Sequence, residues 1–326
     1  MDNSRKYDVI ALGELLIDFT EYGRSNRGNK LFEANPGGAP CNVLALLQKL
    51  GKKTAFIGKV GDDQFGRMLC ETIDSIGIDS KNLIFDKEIP TTLAFVGKTA
   101  DGDREFSFYR NPGADMMLRE EEVMDELLAN TKILHFGTLS MTHETVRKTT
   151  LSAVKKAKKN GAIISLDPNL REPLWQSLDE AKRQMKSAIS YCDILKISDN
   201  EIEFLTGETD FDEGVKKIRS EYDIPLICVT MGKDGSIAYY KDKKITAKAF
   251  LQDNVVDTTG AGDTFCGCVL SYVCEHGLDN LTEKQLLTML EFANAAASIV
   301  TTRAGAILSM PSVKEVEELL NRGNVR

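Results

Sequence analysis

The sequence predicts an α/β protein with a mainly parallel central sheet and a small β-sheet lid. Three observations lead there. Short aliphatic runs alternate with stretches of helical periodicity along most of the chain, a pattern that builds βαβ units and a parallel sheet covered on both faces. Gly51, Gly77 and Gly161 follow three of the helical stretches, where a left-handed C-terminal cap belongs. Two segments, Leu15 to Phe32 and Pro90 to Arg110, lack the helical period and break the alternation.

The buried strands are expected at Tyr7 to Leu12, Thr54 to Ile57, Ile133 to Phe136, Ala162 to Leu166, Ile194 to Ile197 and Leu226 to Thr230, each short and rich in aliphatic or β-branched residues. The intervening helices fall at Asn42 to Leu50, Gln64 to Ile76, His143 to Lys159 and Leu178 to Ser190, with apolar residues three and four apart. The segment 90–110 reads as two alternating strands around an Asp101-Gly102 turn. Together with the first irregular segment it predicts a small sheet standing off the body, the lid spanning about residues 15–35 and 90–112. No repeat or linker divides the chain, so residues 1–326 are expected to form one domain with this lid inserted.

Composition narrows the function. No apolar run approaches the length of a membrane helix, and no charged leader with an apolar core opens the chain, so a cytoplasmic protein is expected. Seven cysteines and three histidines, with no CxxC pair, argue against a disulfide framework or a zinc cluster. A net charge of −8 gives no reason to expect nucleic-acid binding. An anionic ligand therefore needs a local site.

The stretch DTTGAGDTFCG, Asp257 to Gly267, supplies one. Phe265, Val269, Leu270 and Val273 continue it as a helical stripe ending near Gly277, so the motif is a loop feeding a helix N-terminus. First-turn amides lack intrahelical partners and the helix dipole is positive there, which favours a phosphate. Gly260 and Gly262 let the backbone approach it. Asp263 is then either a helix-start acid or a general base for a hydroxyl that attacks the phosphate. Gly97-Lys98-Thr99 resembles the end of a P-loop but lacks the motif's first glycine and lies in a hairpin. The dinucleotide pattern fails as well, because Phe265 stands at its third glycine.

DTTGAGDTF resembles the C-terminal signature of the ribokinase-like (PfkB) carbohydrate kinases, and Pro36 to Gly66, PGGAPCNVLALLQKLGKKTAFIGKVGDDQFG, resembles their N-terminal one. The likeness runs from GELLIDF through FYRNPGADMML, DPNLR and an SxxE segment to TTRAGAI, and the middle motifs look most like those of fructokinases. It implies a ribokinase-like three-layer fold and ATP-dependent phosphorylation of D-fructose to fructose 6-phosphate, with Mg²⁺ accompanying ATP. Asp263 is by that resemblance the catalytic base, and the amides of Gly260, Ala261, Gly262 and Asp263 form the anion hole. Asp18, Gly37, Gly38 and Asn42 match sugar-binding positions, and Arg110 and Arg171 match arginines that reach substrate and phosphate. Nucleotide contacts are implied for Thr230, Gly232, Gly235 and Asn294. Glu201 matches the acid that organises water around Mg²⁺, although Ser198 replaces the family's asparagine. In several members the acid and second threonine of this loop help enclose K⁺, here Asp257 and Thr259, with carbonyls near Val300, Arg303 and Gly305.

Plain alternatives stand beside these roles. Gly37-Gly38 can be an ordinary turn and Asn42 a helix-start residue, Arg110 and Arg171 solvated arginines, and Asp257 a brace for its turn. The nearest rival activity is 2-keto-3-deoxygluconate kinase, in which the two arginines would read a carboxylate. A non-catalytic fructokinase-like regulator is disfavoured by the intact GAGD, and a dinucleotide oxidoreductase by the missing GxGxxG. The lid strands leave an edge open to pairing, so a homodimer is expected.

Overall fold

The structure, a computed structural model, describes residues 5–98 and 104–323. Its strands are β1 (Tyr7–Leu12), β2 (Leu16–Arg24), β3 (Lys30–Gly37), β4 (Thr54–Gly61), β5 (Asp79–Asp86), β6 (Leu93–Lys98), β7 (Arg104–Tyr109), β8 (Thr131–Gly137), β9 (Ile163–Asp167), β10 (Ile194–Ser198), β11 (Leu226–Thr230), β12 (Ser236–Tyr240) and β13 (Lys243–Ala247). Nine of them form one sheet in the order β13-β12-β11-β10-β9-β8-β1-β4-β5. Pairing is parallel from β5 to β11 and antiparallel for β11–β12 and β12–β13.

The alternation of side chains along each strand builds the layers. Val9 and Ala11 of β1 pack into one core with the helices Ala39–Lys49, Ala261–His276 and Glu283–Val300. Ile10 and Leu12 point the other way, into a second core with Glu144–Lys159 and Leu178–Ile189. Both faces are thereby covered, which is why the strands read as continuous apolar runs. Among the described residues, no helix is long and apolar enough to cross a membrane.

All six expected strands and four expected helices are present, and Gly51, Gly77 and Gly161 have φ of 73°, 90° and 76°. The hairpin β12–β13 was not anticipated. It lies past β11 where another crossover helix would be the default, and Ser236–Tyr240 is buried along its whole length. The Asp101-Gly102 turn lies outside the described residues.

The second sheet, β3-β2-β6-β7, is the expected lid. It is fastened to the body at two points. Phe19 of β2 meets Phe65 edge-on at 5.6 Å and stacks on Phe95 at 4.9 Å, an arrangement aromatic rings favour. At the end of β7, Arg110 is buried: Nε donates to Asp115 at 2.8 Å, NH1 to Thr142 Oγ1 at 2.9 Å and NH2 to the Leu139 carbonyl at 3.1 Å. Removing one partner of such a pair strands a charge in the interior. Asp115→Ala is therefore expected to lower unfolding stability by about 3 kcal/mol or more, read from urea denaturation; a change within ~0.5 kcal/mol would show that the pair does not hold the lid root.

Candidate active site

The carboxyl ends of β1, β9, β10 and β11 open on one crevice, the usual ligand position of an open α/β sheet. The loop 257–260 enters it and starts the helix Ala261–His276. Asp257 accepts the amide of Thr259 at 2.7 Å, and Ala261 donates to the Thr258 carbonyl at 3.3 Å. Gly260 then turns left-handed at φ 80° and stands at the cap with no side-chain hydrogen bond. The Gly262 and Asp263 amides in the first turn have no carbonyl available within the helix, so this end of the helix can receive an anion.

Asp263 does not cap the helix. Its Oδ2 accepts a 2.7 Å hydrogen bond from Asn42 Nδ2, donated by a helix 221 positions away in sequence. Burial raises its affinity for a proton, while the Asn42 bond and the charges of Lys196 and Arg171 oppose the shift. Lys196, buried on β10, reaches Asp167 at the end of β9 at 3.1 Å. A Cβ at Gly262 would sit 3.1 Å from its ammonium, so the lysine would have to give by a few tenths of an ångström to admit one. Burial opposes the Lys196 charge, yet Asp167 and Glu201 keep it protonated above the ordinary lysine range. Asp167 is pushed up to about 6 by burial, with Lys196 opposing.

A cavity of about 380 Å³ lies on the lid side of Asp263, lined by Asp18, Gly38, Asn42 and Arg171 with Glu14, Asp167 and Lys196. Asp18 is raised to about 6 by burial, opposed by Arg171 and reinforced by Asp257. Gly37 is pressed against it, since a Cβ there would lie 2.6 Å from its Oδ2. Gly38 has φ 131° and its Cβ would strike the Glu14 carbonyl at 2.5 Å, so it is a packing requirement as well as a turn. Arg110, in contrast, points into the buried contacts of the lid root and does not line this cavity. Arg171 does, with NH1 3.3 Å from the Leu170 carbonyl.

A second cavity of about 340 Å³ lies on the other side of the loop and gathers Thr230, Gly232, Gly235 and Asn294 beside Ala261. Thr258 and Gly262 line both cavities, so the two meet at the helix start. The Asn294 carboxamide is fully engaged: Ser236 donates to its Oδ1 at 2.9 Å, and Nδ2 reaches the carbonyls of Ala247 and Lys248 at 3.2 and 3.1 Å. It shapes the cavity wall by fixing the β12–β13 hairpin. Glu201 is likewise committed, accepting the amides of Leu170 at 2.7 Å and Ser198 at 2.8 Å as a reciprocal helix cap.

Sequence reasoning missed Glu14, Asp167 and Lys196 as site residues. A signal existed for each: an ionisable side chain inside or at the end of an otherwise apolar strand run, as in ILKIS, is costly unless paired. Glu14 is fully enclosed and raised to about 7, chiefly by burial, with Asp115 adding to the shift and Arg110 and the Ala39 amide opposing it.

Two cavities that share a helix start, with a buried carboxylate between them, are the arrangement of a small-molecule kinase. The sequence profile described as pfkB family carbohydrate kinase matches residues 6–313, and the chain belongs to that family. It is 43% identical over 306 residues to a probable fructokinase of Arabidopsis thaliana, covering 93% of both chains, and 42% identical to fructokinase-1 of Zea mays, covering 96% of this chain and 98% of that one. The solved fructokinase with bound ATP from Xylella fastidiosa superimposes with a TM-score of 0.87 at 28% identity over 97% and 98% of the two chains. A double mutant of the fructokinase from Vibrio cholerae O395, solved in a fructose, ADP and potassium ion bound form, gives 0.86 at 28% identity over 98% and 100%.

The raised carboxyls have a measurable consequence. A group with a folded pKa above its unfolded one makes the native state bind more protons, so its stabilising contribution is complete below the unfolded value and lost as pH rises through the folded one. For Glu14 that window runs from 4.5 to about 7. Unfolding free energy should fall across it in the wild type and fall less in Glu14→Gln, by urea titration at each pH. Equal slopes in the two proteins would mean that Glu14 ionises normally.

Proposed function

We propose that the chain catalyses ATP-dependent phosphorylation of D-fructose at its 6-hydroxyl. The observation that carries the reading is the meeting of the two cavities at Gly262, with Asp263 held by Asn42 rather than used as a cap. The sugar lies in the Asp18–Asn42 cavity and ATP in the Thr230–Asn294 cavity. Asp263 takes the proton of the attacking hydroxyl, a bond forms between that oxygen and the γ-phosphorus, and the bond to the β-phosphate oxygen breaks to release ADP. The amides of Gly260, Gly262 and Asp263 face the charge on the transferring group, with the Ala261 amide shared with Thr258. Such preorganised donors stabilise charge where it develops.

Mg²⁺ carried with the nucleotide would supply positive charge to offset that of the phosphates. Glu201, already accepting two amides, suits holding water toward that ion better than ligating it directly. Residues 1–326 act as one kinase domain in the cytoplasm, and the exposed Tyr22 and Tyr109 of the lid favour a homodimer through its sheet.

Fructose is favoured over ketodeoxygluconate by two features. Asp18 places a carboxyl in the cavity, and Arg110 is consumed by Asp115, so it is not free to read a sugar acid's carboxylate. ADP release should be fastest with fructose, and Asp263→Asn should lower kcat by about 10²-fold or more with the fold intact. A larger kcat/KM for ketodeoxygluconate overturns the substrate, and turnover of Asp263→Asn within about threefold of wild type overturns the base.

Asp257 and Thr259 are proposed to help hold K⁺ beside the loop. A carboxylate with hydroxyl and carbonyl oxygens suits a hard cation, and Gly305 lines one cavity with Asp257 and Thr259. The Asp257–Thr259 amide bond is also what a purely bracing role requires. Replacing K⁺ by a bulky organic cation at constant ionic strength should depress kcat. Unchanged activity, with Asp257→Ala still damaging, would assign Asp257 to the brace alone.

A further inference from the structure

The second cavity runs along the end of the helix Glu283–Val300, where Asn294, Ala297, Ser298 and the cap residue Thr301 line it over about 10 Å at the helical rise. The Thr301 carbonyl accepts the amides of Val256 and Asp257, so that end of the cavity adjoins the loop and helix start that can receive phosphate. Away from it the wall carries Phe250, Leu251 and Ala297 beside the polar pair Gln252 and Ser298. An apolar wall with a placed polar group suits a flat heterocycle that is read along one edge. Gln252 Nε2 donates to Ser298 Oγ at 2.9 Å, and Oε1 has no partner among the described residues.

The two carboxamides of this cavity differ in freedom. Asn294 Nδ2 donates to two carbonyls, which only accept, so its orientation is fixed. Ser298 is a hydroxyl that either accepts or donates. Turning Gln252 over replaces the Nε2–H to Oγ bond by an Oγ–H to Oε1 bond and loses nothing. The group that Gln252 leaves for a ligand is thus an acceptor in one orientation and a donor in the other. We propose that Gln252 reads the edge of the nucleotide base, and that its reversible carboxamide admits guanosine and inosine triphosphates as phosphoryl donors beside ATP. This deepens the kinase reading above and rests on it. Position 6 of adenine carries an amine that donates, whereas guanine and hypoxanthine carry an oxygen that accepts. Oε1 meets the first and Nε2 the second, with Ser298 holding the other end of the carboxamide in both. A partner fixed in one orientation would reject one of these edges, because two acceptors or two donors would face each other.

The test compares ATP, GTP and ITP as donors to fructose, and measures ADP and GDP binding by calorimetry without sugar. kcat/KM for GTP and for ITP should lie within about tenfold of that for ATP. Gln252→Glu removes the donor: a carboxylate only accepts, so it keeps the adenine contact and opposes the 6-oxo group, and the GTP-to-ATP ratio of kcat/KM should fall about fivefold or more. Gln252→Met keeps the length without a polar edge, so KM should rise for all three donors while the ratio stays near that of the wild type. A wild-type preference for ATP beyond about tenfold, or a ratio that Gln252→Glu leaves unchanged, overturns the proposal. Calorimetry needs no turnover: a protein that binds ADP and GDP alike but phosphorylates no sugar would overturn the kinase reading while bearing out the base reading.

Discussion

For Asp263 to serve as the proposed base, its carboxylate has to stay ionised while enclosed, next to a helix start that can receive an anion. Burial works against this at Asp263, and the surrounding structure supplies the opposing influences. Asn42 donates to it, Lys196 and Arg171 bring positive charge, and the helix start contributes the positive end of its dipole. These groups come from β10, the loop after β9 and two helices, so the parallel sheet is what brings them together. The lid closes the same cavity from the other side, and its root at Arg110 is fixed by Asp115.

The cations beside this carboxylate differ in what they can exchange. Lys196 is buried and paired with Asp167, so it acts as a fixed charge. Arg171 donates to its neighbour's carbonyl and lines the cavity beside Asp18 and Asp263, and it is the cation best placed to reorient toward a ligand. Arg110, Asn294 and Glu201 are occupied by protein groups. Their contribution is to hold the lid root, the wall of the second cavity and the helix at Ser198. A side chain that matches a ligand-binding motif can therefore serve the ligand by holding the surface it binds.

Much of this was legible in the sequence for a physical reason. Strands buried on both faces must be aliphatic along their length, so the six central runs declared themselves, and helix ends with a left-handed residue select glycine. The loop at Gly260 was legible for the same kind of reason, since close backbone approach forbids side chains. The hairpin at 236–247 was hidden, because a buried SIAYY run has no feature that distinguishes antiparallel from parallel pairing. The Asn42–Asp263 bond was hidden too, since residues 221 apart are joined only by the packing of their helices. Arg110 was read as a ligand-reaching arginine, and its partner Asp115, five residues on, carried no periodic signal in an irregular segment.

The account depends on one geometry, a sugar hydroxyl between Asp263 and the phosphoryl group. A crystal structure of the protein with fructose and a non-hydrolysable ATP analogue measures it directly. The predicted result places the fructose 6-hydroxyl within hydrogen-bond distance of Asp263, and the terminal phosphate on the amides of Gly262 and Asp263. A complex in which the 6-hydroxyl lies away from Asp263, or the phosphates lie away from that helix start, would contradict it.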